Sequence, residues 1–163
     1  MALDWRAESL RISLFSNGAS SVTDEDWKSL SGLSDSYNRQ TVPGGHIFSG
    51  NIEQGQLSFS GINKRVDIIL STLPPKIAPS EVQVPTIGGW RAAVEKFFMF
   101  TSAWMVTVGF PVIRIAFGAV ALLPTANARD SYLVLKRLLR SVSVEPEMRG
   151  FFSVSIGLQT VSQ

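Results

Sequence analysis

Residues 97–123, FFMFTSAWMVTVGFPVIRIAFGAVALL, carry Arg114 as their sole formal charge. About 20 apolar residues suffice to cross a bilayer as a helix, so this run decides between a membrane span and the middle of a folded core. Gly109 and Pro111 interrupt it, and a proline pushes the residue before it out of helical geometry. Arg114 is also costly in hydrocarbon. The run therefore reads as two elements, a helix and then a strand, and the sequence predicts no membrane span.

The helix is expected over 87–108, where Ile87, Trp90, Val94, Phe97, Trp104 and Val108 recur at helical spacing, Phe98 and Met105 widen the stripe and Thr101 interrupts it. Thr86 is the expected N-cap and Gly109 the C-terminal cap, with Gly88 and Gly89 weakening the first turn. Downstream, 112–123 is an unbroken apolar run rich in β-branched and small residues. That pattern predicts the central strand of a sheet, covered on both faces.

Four segments alternate with period two and predict strands with one wet face. In 9–15, Leu10, Ile12 and Leu14 oppose Ser9, Arg11 and Ser13. In 57–61, Leu57 and Phe59 alternate with Ser58 and Ser60; in 65–71, Val66, Ile68 and Leu70 alternate with Arg65, Asp67, Ile69 and Ser71. In 151–159 the same role falls to Phe152, Val154, Ile156 and Leu158. A two-residue turn at Asn63 and Lys64 would pair Gly61 with Val66, Phe59 with Ile68 and Leu57 with Leu70, which keeps the apolar side chains together. A further strand is expected around 46–50.

Two shorter helices complete the pattern. TDEDWKSL at 23–30 opens on a threonine cap, places acids in its first turn and stops at Gly32. The other, about 127–141, sets Leu135, Leu138, Leu139 and Val142 against Arg129, Lys136, Arg137 and Arg140, with Asn127 and Asp130 at its start. PPKIAPSEVQVP forms a stiff extended connection before the long helix. The order β-α-β-β-β-α-β-α-β describes a single α+β domain over 1–163. It has one antiparallel or mixed sheet of five to six strands, with three helices packed mainly on one face.

Composition narrows the function classes. The chain has 15 basic against 13 acidic residues, so nucleic acid is permitted but not required. Without cysteine there is no thiolate nucleophile or disulfide, which fits a reducing, cytoplasmic location. Asp4, Arg6 and Glu8 stand where a secretion signal needs an apolar run. A single histidine rules out a histidine-rich metal site within one chain, and no cofactor or catalytic motif is found.

His46 lies in VPGGHIFSG, where glycines permit close backbone approach to a ligand and an imidazole would act as general base or anion partner. The alternative adopted is a plain turn leading into a strand, with the histidine at its edge. A hydrolase would have to use this one residue. On the wet strand faces, Arg11, Arg65, Asp67 and Arg114 are expected to share a surface with Ser13, Ser58, Ser60, Ser153 and Ser155. Arginines there suit bidentate recognition of a carboxylate or phosphate; the plainer reading is cross-strand ion pairing, Arg114 or Arg65 with Asp67. A buried Arg114–Asp67 pair would make Asp67→Ala cost about 3–5 kcal/mol. Arg137 and Arg140 offer a second basic face.

Phe15, Phe48, Phe110, Phe151 and Ile69 fall on parities or loops that a single core does not cover, and LQTVSQ would end the chain on an edge strand. These features lead to a non-catalytic protein–protein interaction module, binding another chain or its own copy. The alternative is an anion or nucleic-acid binder using the arginine-bearing sheet face or the basic last helix.

Overall fold

The computed structural model describes residues 4–73, 85–125, 129–130, 133–134, 136 and 158–159. Its elements are β1 (Arg6–Ser16), α1 (Asp24–Ser31), β2 (Asn38–Val42), β3 (Gly45–Ile52), β4 (Gly55–Ile62), β5 (Arg65–Ser71), β6 (Gly88–Gly89), α2 (Trp90–Met105), β7 (Val112–Leu122) and β8 (Leu158–Gln159). The strands form one antiparallel sheet in the order β2-β3-β4-β5-β1-β7-β8, with β6 pairing against the start of β1 off that path. The result is a mostly-sheet α+β fold.

This corrects the expected fold in three respects. The main path of the sheet holds seven strands, where five to six were expected, and all of its pairings are antiparallel. The additional long strand is β2, whose residues NRQTV are almost all exposed and carry no hydrophobic alternation. It exists because the Pro43–Gly44 turn, with Gly44 at φ 84°, folds it back along β3. Second, two helices are described over their full length, where three were expected; the third, over 127–141, lies mostly outside the described residues, although Arg129, Asp130, Leu133, Val134 and Lys136 within it are helical. The expected strand over 151–159 is likewise described only at Leu158 and Gln159, which pair with Phe117 and Ala116 of β7, and most of the proline-rich connection lies outside the description as well.

The third correction concerns the middle of the sheet, which is β5, with β1 beside it, and not 112–123, the last but one strand of the path. β1 hydrogen-bonds β5 on one side and β7 on the other. None of the β7 side chains is fully buried, and Ile113 and Ile115 are 52% and 42% exposed. A continuous apolar run signals cover on both faces, whereas lateral position depends only on backbone pairing. The alternating β1 lies inside the sheet because both of its edges are paired, while one of its faces, bearing Leu10, Ile12 and Leu14, packs into the core.

The hairpin from β4 to β5 has the expected register, Gly61 with Val66, Phe59 with Ile68 and Leu57 with Leu70, around Asn63 at φ 55°. α1 also forms where expected. Thr23 accepts the Asp26 N–H on its hydroxyl, Asp26 accepts the Thr23 N–H in return, and Gly32 caps the C-terminus in the left-handed region. The long helix is shorter than 87–108: Gly88 and Gly89 join the sheet as β6, Gly89 rather than Thr86 is the N-cap, and Val106 ends α2. The chain break near Gly109–Pro111 stands. Among the described residues no helix is long and apolar enough to cross a membrane.

Both helices pack on one face of the sheet. Ala93, Phe97, Thr101 and Trp104 form the buried stripe of α2, and Trp27 and Leu30 that of α1. Thr101 does not interrupt this stripe, because its hydroxyl donates to the Phe97 carbonyl at 2.7 Å and needs no outside partner. Phe59 meets Trp104 edge-to-face at 5.0 Å and stacks towards Phe48, which lies against Trp27. Each large side chain buried here contributes about 1.5–3 kcal/mol. Phe48 is therefore a core residue, contrary to the expectation that it belonged to an uncovered surplus, and Phe110 also packs against this core.

Candidate functional site

The register places one set of side chains on the face opposite the helices. Ser13 of β1 is flanked by Asp67 of β5 and Ala116 of β7, and Asp67 by Ser60 of β4, which faces Ile47 of β3. One row away, Phe15 is flanked by Arg65 and Arg114; on the other side, Arg11 is flanked by Ile69 and Gly118. Four residues singled out in the sequence, Arg11, Arg65, Asp67 and Arg114, thus come together with Ser13, Ser58 and Ser60. Ser153, Ser155, Phe151, Arg137 and Arg140 lie outside the described residues.

Asp67 is the hub of the cluster. Its carboxylate accepts from Arg11, with Nε at 3.1 Å from Oδ1 and Nη2 at 2.9 Å from Oδ2. Arg65 Nε lies 3.0 Å from Oδ1 and 2.9 Å from Oδ2, and the Ser13 hydroxyl donates to Oδ1 at 2.5 Å. Asp67 is 14% exposed while Arg11 and Arg65 are each more than 40% exposed, so the carboxylate sits at the base of the cluster and the cations at its rim.

Arg114 does not pair with Asp67, contrary to the first of the two expected ion pairs. Its guanidinium lies 3.9 Å from the centre of the Phe15 ring, and that of Arg65 lies 5.3 Å from the same ring. Phe15 stands between Arg114 and Arg65 in one row while Asp67 lies in the next, and a cation over an aromatic face gains from the ring quadrupole without using an N–H donor. Arg114 is exposed, and no carboxylate among the described residues lies within ion-pairing distance of it. The premise behind a 3–5 kcal/mol loss on removing Asp67, a buried arginine left stranded, therefore does not hold.

The part played by Phe15 was not legible from the sequence beyond its parity with Arg11 and Ser13. Only the pairing of β1 with both β5 and β7 shows that an arginine flanks it on either side.

His46 lies elsewhere. It shares the parity of Phe48 on β3, on the helix-bearing side of the sheet, with Nδ1 3.3 Å from the Thr41 hydroxyl and its ring 6.3 Å from Phe48. The neighbouring glycines serve backbone packing: a Cβ on Gly45 would overlap the Gly61 carbonyl oxygen, and one on Gly44 the Asn63 side chain. A shallow groove of about 530 Å³ lies between α1 and α2, lined by Leu30, Leu33, Ile52, Lys96, Met99 and Phe100. Among the described residues no group of three or more histidine, cysteine or acidic side chains is placed to hold a metal ion. Comparisons of the chain with protein-family models, curated proteins and solved structures find no match.

Proposed function

We propose that the protein is a non-catalytic interaction module that docks another protein chain on the open face of its sheet. The observation that carries this reading is the composition of that face across β2 to β7. Hydroxyls (Ser9, Ser58, Ser60), apolar groups (Ile47, Ile62, Ile69) and the arginine cluster around Phe15 share one surface, and no described element lies over it. Protein interfaces mix apolar contact with hydrogen-bonding groups and favour arginine and aromatic residues. Packing α1 and α2 on the other face keeps the sheet rigid, so the surface is pre-organised and loses little freedom on binding.

A photo-crosslinking residue placed at Ser58, in the middle of the face, and separately at Met99, 74% exposed on α2, tests the reading in cells of the source organism. The expected result is a discrete crosslinked protein from position 58 that position 99 does not give. Crosslinks from position 99 alone, or from neither, overturn it.

A further inference from the structure

Resting on the docking reading above, we infer that Arg65 and Arg114, on either side of Phe15, form a clamp for the carboxylate side chains of an acidic segment of the partner. The cluster sets three guanidinium groups against one carboxylate, that of Asp67, which pairs with Arg11 and Arg65, so the cluster is cationic. Asp67 already shows what the cluster holds, since it is a carboxylate taken by two arginines and a serine hydroxyl. Arg114 has its guanidinium carbon 3.9 Å from the centre of the Phe15 ring, a contact that holds the group in place without using any of its five N–H donors. A pre-oriented guanidinium receives a carboxylate bidentately with less loss of side-chain entropy than a mobile one.

The strand spacing supports an extended segment. Arg114, Phe15, Arg65 and Ile62 form one row across four strands, and Gly118, Arg11, Ile69 and Ser58 form another. An extended chain presents alternate side chains to one side, so acidic residues at alternate positions would meet the arginines while the residues between them face away. A second copy of this chain is the poorer occupant, because stacking cluster on cluster brings like charges together.

The test uses the full chain and a fluorescein-labelled peptide of alternating glutamate and serine, with glutamine–serine and single-stranded DNA probes of equal length. Anisotropy at low salt is expected to show binding of the glutamate peptide alone, weakening with added salt. R114A should weaken it by about tenfold, as for loss of a charge-assisted bidentate contact. R114K should weaken it nearly as much, because the fork is lost although the charge remains. R39A removes an equal charge from the other side of the sheet and should change nothing.

No binding of the glutamate peptide, binding indifferent to R114A, or equal loss with R39A overturns the clamp. Tighter, Arg114-dependent binding of DNA overturns the carboxylate assignment in favour of phosphate. The two readings separate cleanly. Crosslinks from position 58 that survive R114A undiminished leave docking standing and remove the clamp; Arg114-dependent peptide binding without any crosslink from position 58 does the reverse.

Discussion

The indole N–H of Trp104 donates to Asp26 Oδ1 at 3.0 Å, joining the last turn of α2 to the capping box of α1. The other oxygen of the same carboxylate accepts the Thr23 N–H and hydroxyl. One side chain thus caps the start of its own helix and fixes where the second helix lies.

Asp26→Ala should therefore cost more than a helix cap alone. It removes the reciprocal cap, about 1 kcal/mol, and leaves the buried Trp104 N–H without its partner, about 1–3 kcal/mol more. Urea denaturation of Asp26→Ala, Trp104→Phe and the double variant should give a coupling of about 1–2 kcal/mol. Additive losses would show that the two residues act independently.

At Asp67 the expected loss is small. Asp67→Ala leaves Arg11 and Arg65 without a carboxylate, but both are substantially exposed and water takes its place. The cost should be about 1 kcal/mol in urea denaturation. A loss of 3 kcal/mol or more would mean that the arginines are far less hydrated than their exposure implies.

Gly45→Ala should be among the most damaging single-methyl changes, because the new Cβ overlaps the Gly61 carbonyl oxygen, a backbone atom that moves only with its strand. A loss of about 3 kcal/mol is expected. Gly18→Ala, where the added Cβ meets nothing, should stay within about 0.5 kcal/mol. Thermal melting of the two variants side by side measures the difference.

The Tyr37 hydroxyl donates to Asp24 Oδ1 at 2.6 Å and Arg39 pairs with Oδ2. The Tyr37 hydrogen bond first, and the Arg39 charge with it, hold the Asp24 carboxyl below its ordinary value of 3.8 against the opposing effect of desolvation. A lowered carboxyl contributes stability above 3.8 and loses it as pH falls through the lower folded-state value. The same bond to Asp24 raises the Tyr37 hydroxyl above 10.0, so its share is present below 10.0 and lost as pH rises through the higher folded-state value. In Tyr37→Phe the Asp24 carboxyl resonance should titrate at higher pH, and the stability difference from the native chain should narrow in acid. An unmoved Asp24 titration would show that the hydrogen bond does not persist in solution.

Local chemistry alone determined much of this protein. The threonine cap, the acidic first turn and Gly32 place α1 wherever it packs. Asn63 and the alternation around it set the β4–β5 register, since a slip of one residue would turn Leu57, Phe59 and their partners to water. Gly109 and Pro111 divide the apolar run because proline geometry does not depend on distant neighbours. Tertiary structure decided what depends on who lies beside whom. β2 has no hydrophobic signal and is a strand only through β3, while β1 lies inside the sheet because β5 and β7 both pair with it. For the same reason Arg114 stacks on Phe15 and leaves Asp67 to Arg11 and Arg65: side-chain parity is written along one strand, but the neighbours that satisfy a charge are chosen by the pairing of several.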